Sequence, residues 1–306
     1  MVKEYQMYIN AEWVDAASGE TFADYDPYNG DVFATVASAN RQDAKQAIDA
    51  AAAAFPAWSA TPPAERAMYF LKAADILERR QEEIVGILRD ETGGTFGWGM
   101  FQTHFTPGLF RAAAAQVHMV TGEIIPADQP GAFFMVLRQP VGVVAGISPW
   151  NAPLILSLRA VALPMAYGNT TVLKPSSESP VSGGLIFAEI LDEAGLPKGV
   201  FNVVTNGPGL SEEVGDELVV NPHVRRISFT GSTEVGRQLA EKAGRHLKRV
   251  TLELGGSDPV IILQDADVDY AVNAATFGRF LHQGQICMSS KRIIVEKPVA
   301  DEFTEK

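Results

Sequence analysis

The fold is decided by a stretch that reads VGVVAGISPWNAP, residues 141–153. Its first part is a short apolar run, which is typical of a strand buried on both faces of a sheet, and its prolines shape a strand-to-helix turn. Runs of similar character follow at 170–173, 200–204 and 226–229, each with a helix-length segment behind it. Successive βα units of this kind predict an α/β fold with a parallel sheet and right-handed crossovers.

The residues before this region are predicted to be mainly helical after a short extended start. Asn40 and Asp43 have the spacing of an N-cap with an acidic third position, opening an alanine-rich helix that ends near residues 55–56. A second helix begins at residues 61–63, and Gly93-Gly94 ends the next one. The second helix is expected to bury the face formed by Ala67, Phe70, Leu71, Ala74 and Leu77.

Two smaller features complete the expected architecture. Residues 123–126 and 133–138 predict two extended pieces joined by a turn at 128–131, forming a hairpin outside the sheet. Residues 292–296 predict a strand, and residues 298–306 predict the start of its following helix.

Composition excludes several classes of protein. The chain has 306 residues, 46% of them apolar and 20% charged, as expected for about two globular domains. Its net charge of −12 opposes binding to nucleic acid or anionic lipid. No stretch approaches the ~18 apolar residues of a membrane span, and one cysteine cannot form an internal disulfide. The amino terminus lacks the apolar core of a signal peptide, so we expect a cytoplasmic protein.

In open parallel sheets, ligands bind beyond the carboxyl ends of the strands, so the segments after each strand are the candidate site. Asn151 could donate a hydrogen bond to a developing oxyanion, or belong to a turn that prolines merely shape. Lys174 could contact ribose hydroxyls or a phosphate, or be a solvated charge. Residues 229–236, FTGSTEVG, place a glycine turn before a helix, which is typical of phosphate binding. Arg237-Gln238 excludes a Walker A motif.

Two further residues carry possible chemistry. Glu253 lies in the apolar run VTLELGG, residues 250–256, where a buried carboxyl would have a raised pKa and suit a general base. A strand-end surface glutamate is an equally open interpretation. Cys287, the single cysteine, could be a small buried hydrophobe or a nucleophile. One cysteine and five scattered histidines show no metal-ligand spacing.

Five segments in order then resemble the aldehyde dehydrogenase superfamily: 149–151 (PWN), 173–176 (LKPS), 229–232 (FTGS), 252–256 (LELGG) and 284–287 (GQIC). The resemblance implies that Cys287 attacks the aldehyde, Asn151 donates to the oxyanion, and Glu253 activates the water that hydrolyses the thioester. It implies an NAD or NADP site at Pro149, Trp150, Lys174, Ser177, Gly207, Phe229, Thr230, Gly231, Ser232, Gly236 and Leu254.

The resemblance also indicates a branch of the family and bears on the choice between NAD and NADP. Residues 91–97, 157–160 and 281–289 look like the branch that oxidises aromatic aldehydes such as benzaldehyde, vanillin and salicylaldehyde. Many NAD-preferring relatives carry Glu where this chain has Ser177, so NADP use stays open. We expect a flat apolar substrate pocket, with Arg159 near a polar ring substituent, lined by Phe101, Phe105, Arg159, Ile286 and Met288.

By the same resemblance, residues 1–121 and 143–253 would form the NAD(P)-binding domain, 122–142 an oligomerisation hairpin, and 254–306 the first part of a catalytic domain. Family members continue beyond this point, so we expect a truncated chain that is inactive or poorly stable alone, and a homo-oligomer, dimer or tetramer, when full length. Two alternatives remain: a nucleotide-binding module without turnover, and a CoA-acylating relative. Glu253 argues against the second, because CoA-acylating enzymes typically lack this carboxylate.

Overall fold

The structure, a computed structural model, describes residues 2–209 and 211–306. Its strands are β1 (Lys3–Tyr5), β2 (Met7–Ile9), β3 (Glu12–Val14), β4 (Thr21–Tyr25), β5 (Val32–Ala37), β6 (Glu123–Ile125), β7 (Phe134–Val136), β8 (Val143–Ile147), β9 (Thr170–Lys174), β10 (Phe201–Val203), β11 (Val224–Thr230), β12 (Arg249–Glu253), β13 (Asp258–Ile262) and β14 (Ser290–Val295).

Its helices are α1 (Arg41–Ala60), α2 (Pro63–Arg79), α3 (Gln81–Thr92), α4 (Phe96–Gln116), α5 (Pro153–Ala166), α6 (Ile186–Glu193), α7 (Ser211–Val220), α8 (Thr233–Arg245), α9 (Val268–Phe280) and α10 (Lys297–Glu305). A π-helical turn, Val181–Leu185, leads into α6, and a short turn, Leu281–Gly284, follows α9. No helix in the described ranges is long and apolar enough to cross a membrane.

The main sheet has the strand order β12-β11-β8-β9-β10-β2-β3. The four predicted strands, β8 to β11, are all present, and they pair with one another in parallel. The predicted α/β class with a parallel sheet is therefore confirmed. The sequence did not predict β2 and β3, which pair antiparallel at one edge, because three-residue strands carry too little pattern to identify.

Helices cover both faces of this sheet. Along β9, the side chain of Val172 packs in a cluster with α1, α7 and α8, whereas Leu173 packs in a cluster with α2, α4, α5 and α6. Successive side chains of a strand point to opposite faces, which explains the alternation. Since both faces are covered, the central strands are buried throughout, and their carboxyl ends open onto one common edge.

The first predicted helix is confirmed at its start and longer than predicted at its end. Asn40 accepts from the backbone N–H groups of Gln42 and Asp43, and the Asp43 carboxylate accepts from the Asn40 N–H, as a capping box requires. The helix continues through Pro56 to Ala60 because Trp58 is buried and its indole donates to the Met165 carbonyl at 3.0 Å. Tertiary packing thus overrides the local helix-breaking signal.

The second predicted helix is confirmed with one error in its buried face. Its fully buried positions include Phe70, Ala73, Ala74 and Leu77, at three- and four-residue steps. Leu71 is 40% exposed, because it lies at the edge of the buried face of the helix. Gly93 then ends α3 in the left-handed conformation at φ +64°, as predicted for this glycine pair.

The hairpin and the last segment were both predicted. Strands β6 and β7 pair antiparallel as a separate two-stranded sheet, so the hairpin lies outside the main sheet. Strands β13 and β14 pair in parallel, and α10 follows β14. A further three-stranded sheet, β1-β5-β4, appears where the sequence indicated only a short extended start.

Candidate active site

Asn151 follows the carboxyl end of β8, and two hydrogen bonds fix it there. Its backbone carbonyl accepts from the indole Nε1 of Trp98, on α4, at 3.1 Å. Its side-chain Nδ2 donates to the backbone carbonyl of Gln285 at 2.7 Å. Asn151 therefore ties the main sheet to the loop that carries Cys287.

Cys287 lies on the turn between α9 and β14, and its side chain is exposed. The preceding residue, Ile286, is buried against Trp98, Ala152 and Leu156, so the loop is anchored to the first turn of α5 and to α4. After the cysteine, the N–H of Ser289 donates to the Ile286 carbonyl at 3.1 Å, which closes a tight turn around Cys287. The anchored turn leaves the thiol facing outward from a fixed backbone.

A cavity of about 360 Å³ brings together the three residues predicted to be catalytic, Cys287, Asn151 and Glu253. Arg159 and Leu254 also line it. The three come from separate segments of the chain, after β8, at the end of β12 and before β14. Their convergence in one cavity places a thiol, an amide donor and a carboxylate around the same space.

The side chain of Glu253 is exposed, contrary to the interpretation of a buried carboxyl. The reason is the position of β12, which is the edge strand of the main sheet and pairs with β11 alone within the described residues. Exposed and half-buried residues alternate along β12. The other interpretation, a strand-end surface glutamate, describes this structure.

A second cavity of about 470 Å³ lies beside the first along the same sheet edge. Its lining includes most of the residues predicted to hold a dinucleotide: Pro149, Trp150, Lys174, Ser177, Phe229, Thr230, Gly231 and Ser232. Pro149, Trp150, Thr230, Gly231 and Ser232 also line the smaller cavity, so the two cavities share a wall.

Lys174 ends β9 with its side chain buried, 5% exposed. Its Nζ lies 3.5 Å from the carbonyl oxygen of Pro175, at the limit of a hydrogen bond. Burial lowers the pKa of this ammonium group to about 8, because a charge is costly to hold away from water. A buried cation lining a cavity, with such weak compensation, suits an anionic or hydroxyl-rich ligand.

The turn after β11 opens α8 toward the larger cavity. Ser232 is the N-cap of α8, and its Oγ accepts from the Val235 N–H at 3.3 Å. A Cβ at Gly231 would come within 2.5 Å of the Phe229 ring, so any larger residue in this turn would require that ring to move. The remaining free N–H groups of the first helical turn can receive a phosphate.

This sheet-edge arrangement can be compared with known proteins. A sequence profile of the aldehyde dehydrogenase family matches residues 13–306. The chain belongs to the aldehyde dehydrogenase family. The resemblance seen in the five sequence segments is thereby confirmed.

Individual members of the aldehyde dehydrogenase family are similar over almost the whole chain. Vanillin dehydrogenase of Pseudomonas sp. (strain HR199 / DSM 7063) is 48% identical, and the alignment covers 97% of this chain and 61% of that protein. The benzaldehyde dehydrogenase (NAD+) of Pseudomonas putida is 40% identical, with coverages of 99% and 61%. The chain spans about 61% of the length of these curated relatives.

A solved structure gives the same result in three dimensions. The crystal structure of a salicylaldehyde dehydrogenase from Pseudomonas putida G7, complexed with salicylaldehyde, superposes with a TM-score of 0.97 at 42% sequence identity. The match covers 99% of this chain and 62% of that chain. The α/β fold described above is thus the aldehyde dehydrogenase fold over these residues.

Two predicted cofactor residues of this aldehyde dehydrogenase chain lie outside the residues that line either cavity. Gly207 is buried, and its N–H donates to the Ser38 Oγ at 3.1 Å. Gly236, on α8, packs against Leu254 and the ring of Phe229. Gly236 therefore supports the two cavity residues Leu254 and Phe229 rather than facing the cavities.

The five predicted pocket residues are not all together. Arg159 lines the smaller cavity. Phe101 and Phe105 stack on each other on the outer side of α4, and about half of each side chain is exposed. Ile286 is buried under the Cys287 turn, and Met288 is 63% exposed. Phe101 and Phe105 were predicted to line the pocket, but neither is among the residues that line the smaller cavity.

Sequence reasoning missed Trp98, Leu156, Gln285 and His282 as site residues. Leu156 and Gln285 line the smaller cavity, while Trp98 and His282 pack behind it. Gln285 lies in the segment 284–287 (GQIC), so its nearness in sequence to Cys287 could have identified it as a site residue. Trp98 carried no such signal, because its contact with Asn151 crosses 53 residues of sequence. Within the described ranges, no group of three or more His, Cys, Asp or Glu side chains could hold a metal ion.

Proposed function

We propose that the protein oxidises an aldehyde, of the aromatic class, to the carboxylic acid with reduction of NAD+ or NADP+. The observation that carries the proposal is the shared wall between two cavities. One cavity holds Cys287, Asn151 and Glu253, and the other holds Lys174 and the turn at Gly231. A substrate carbonyl at Cys287 and a dinucleotide along the sheet edge would meet at this wall.

The residues of the larger cavity fit a dinucleotide. Lys174 would contact ribose hydroxyls, the turn at Thr230, Gly231 and Ser232 would receive the pyrophosphate, and Trp150 would lie at the inner end. The fit rests on the buried ammonium of Lys174 and on the glycine turn that a Cβ would fill. When bound, the nicotinamide ring supplies a hydride acceptor.

In the first chemical step, the Cys287 thiolate attacks the aldehyde carbon and forms a thiohemiacetal. Thiolate, rather than thiol, is the nucleophilic form. Negative charge develops on the former carbonyl oxygen, and the Asn151 amide can donate a hydrogen bond to it. Asn151 is held in place for this role by Trp98 and by the Gln285 carbonyl.

In the second step, the thiohemiacetal carbon loses hydride and becomes a thioester on Cys287. The carbon–sulfur bond must stay intact while hydride leaves. The product is a thioester, which is reactive enough for attack by water. Glu253 lines the same cavity and would accept a proton from the attacking water. Hydrolysis releases the carboxylic acid and regenerates the Cys287 thiol.

Three relatives support the aromatic substrate class, because they are named as dehydrogenases of vanillin, benzaldehyde and salicylaldehyde. Within this chain, Arg159 lines the smaller cavity and could pair with a hydroxyl or other polar substituent on the ring. The cavity, about 360 Å³, is large enough for one aromatic ring with a small substituent.

We further infer how the chain is organised around this function. Residues 1–121 and 143–253 would form the NAD(P)-binding domain, 122–142 an oligomerisation hairpin, and 254–306 part of the catalytic domain. The separate sheet β6-β7 supports the second assignment, because all six of its residues are exposed, including Ile124, Phe134 and Met135. A homo-oligomer, dimer or tetramer, would cover them.

Ser177 is compatible with either NAD+ or NADP+. It lines the larger cavity next to Lys174, and its small neutral side chain leaves room for a 2′-phosphate. The test is to titrate the full-length gene product with NAD+ and NADP+, and then to follow reduced nicotinamide with benzaldehyde or hexanal as substrate. Binding with oxidation of benzaldehyde supports the proposal, whereas binding without any turnover identifies a nucleotide-binding module.

A further inference from the structure

His282 is a buried histidine, 3% exposed, five residues before Cys287. Its ring stacks on the indole of Trp98, with the ring centroids 5.0 Å apart and the planes 15° apart. Its other neighbour is Trp150, which meets it edge to face at 6.3 Å and 61°. Trp150 in turn lines both cavities, so His282 packs directly behind the shared wall.

The backbone at His282 adopts an unfavourable conformation. His282 and Gln283 both have positive φ, 47° and 53°, and Gly284 follows at 75°. Residues with a Cβ avoid this left-handed region, although Asn, Asp and His enter it more readily than others. Two such residues in succession persist only where the surrounding contacts hold them. The turn of residues 282–284 is therefore a strained segment next to the proposed nucleophile.

Two sets of contacts join this turn to Asn151. Along the backbone, the Gln285 N–H donates to the His282 carbonyl at 2.9 Å, and the Gln285 carbonyl accepts from Asn151 Nδ2 at 2.7 Å. Through the side chains, His282 stacks on Trp98, whose Nε1 donates to the Asn151 carbonyl at 3.1 Å. Both routes start at His282 and end at Asn151.

The ring plane is the part of His282 that makes these contacts. Neither Nδ1 nor Nε2 finds a hydrogen-bond partner within the described ranges. Burial lowers the pKa of the imidazole, so the ring is neutral near pH 7. A neutral, flat ring stacks between indoles as a phenyl ring would.

We propose that His282 is a positioning residue, whose ring between Trp98 and Trp150 holds the left-handed turn at 282–284 and so fixes Cys287 relative to Asn151. The proposal rests on the proposed function, because the geometry matters only if Cys287 attacks a carbonyl. A substitution that displaces the reacting groups by about 1 Å can cost about 10²-fold in rate.

The experiment compares two substitutions at one position. His282→Phe keeps the flat ring and removes the nitrogens, whereas His282→Asn tolerates positive φ and removes the ring. The matched controls are His118→Phe and His118→Asn, because His118 is exposed and lies after α4. The readouts, both on the full-length gene product, are kcat and KM with benzaldehyde and hydrogen exchange of the Gln285 and Ser289 amides.

We expect His282→Asn to lower kcat by about 10²-fold, with KM for the cofactor unchanged, and to speed exchange at both amides. His282→Phe should retain the kcat and the exchange of the parent protein, and so should both His118 variants. If His282→Asn does not fold, His282→Gln, which is closer in size and also lacks a ring, replaces it.

Two outcomes overturn the proposal. One is a ring-free variant that keeps the parent kcat and exchange. The other is His282→Phe losing as much as His282→Asn, which would show that a flat ring at this position does not hold the turn. Hydrogen exchange is measured without turnover. If the parent protein oxidises no aldehyde, the proposed function is wrong, but the exchange comparison still decides whether His282 orders the turn.

Discussion

The side-chain amide of Asn151 donates a hydrogen bond to the Gln285 carbonyl at 2.7 Å, although the two residues lie 134 positions apart in the chain. This bond links the segment after β8, which carries the proposed oxyanion donor, to the turn that carries Cys287. Together with the contacts of Trp98 to Asn151 and to His282, this bond fixes the geometry of the candidate active site.

Replacing Asn151 tests the oxyanion role. Asn151→Ala should lower kcat by about 10²–10³-fold, the usual loss when one oxyanion donor is removed. Cofactor affinity should stay unchanged, since the Trp98 indole still has the residue 151 carbonyl as its acceptor. The measurement is steady-state kinetics beside a cofactor titration, with the exposed Asn273→Ala as control. A loss confined to KM for the aldehyde would contradict the role.

Glu253→Gln should separate the two halves of the reaction. The amide cannot accept a proton, so hydrolysis of the thioester should slow by about 10²–10⁴-fold while its formation continues. Rapid mixing should then show a burst of reduced cofactor close to one equivalent per Cys287, followed by a slow phase. Glu241→Gln, on the exposed side of α8, is the matched control. Absence of a burst, with a slow first turnover, would assign Glu253 a different role.

Lys174 should make cofactor binding sensitive to pH. Burial lowers the pKa of this ammonium to about 8, so the cofactor-free protein loses the charge as pH rises through that value. Affinity for NAD+ or NADP+ should therefore fall between about pH 7 and pH 9. Lys174→Met should bind weakly at both pH values and show no such fall, whereas Lys72→Met, at an exposed site, should behave like the parent.

The same substitution should stabilise the cofactor-free fold. A lysine whose pKa is lowered on folding costs stability wherever the unfolded chain holds its proton, which includes pH 7. Lys174→Met should thus raise the unfolding temperature at pH 7, and the gain should shrink as pH rises toward the ordinary lysine pKa. An equal gain at all pH values would show that packing, not charge, explains it.

A buried pair of carboxyls, Asp24 on β4 and Glu91 on α3, provides a separate pH prediction. Glu91 accepts from the N–H groups of Val181 and Ser182 at 2.6 and 2.8 Å, and Asp24 lies against it. Burial, and then the charge of Glu91, raises the pKa of Asp24. The folded state keeps a proton that the unfolded state loses above about pH 4, so stability falls as pH rises.

Asp24→Asn removes the part of this dependence that Asp24 contributes, because its amide can donate to Glu91 without holding a titrating proton; Glu91, whose pKa burial also raises, keeps its own part. The variant should be more stable than the parent at about pH 8, with a smaller difference at about pH 5. Urea unfolding at the two pH values measures this, with the exposed Asp31→Asn as control. Equal stability differences at both pH values would show that Asp24 is ionised in the fold.

Local sequence patterns predicted what local interactions determine. The buried runs after residue 141, the capping box at Asn40 and the left-handed stop at Gly93 depend on neighbours within a few residues. The order of the site segments was also predictable, because carboxyl ends of parallel strands share one edge. The exposure of Glu253 was not, since it follows from the place of β12 at the edge of the sheet.

Long-range contacts account for the other differences. Pro56 lies inside α1 because Trp58 reaches the Met165 carbonyl, 107 residues away. Phe101 stacks on Trp98, which donates to Asn151, 53 residues away, and Phe105 stacks on Phe101, so neither lines the cavity. No spacing within α4 contains that information.

The most direct test of the central claim is aldehyde-dependent reduction of NAD+ or NADP+ by Cys287→Ala in the full-length gene product, measured beside cofactor binding. The account predicts that the variant binds cofactor as tightly as the parent and loses turnover of benzaldehyde by several orders of magnitude, since Cys287 is the thiol that lines the cavity with Asn151 and Glu253. Turnover by Cys287→Ala at a rate close to that of the parent would contradict it.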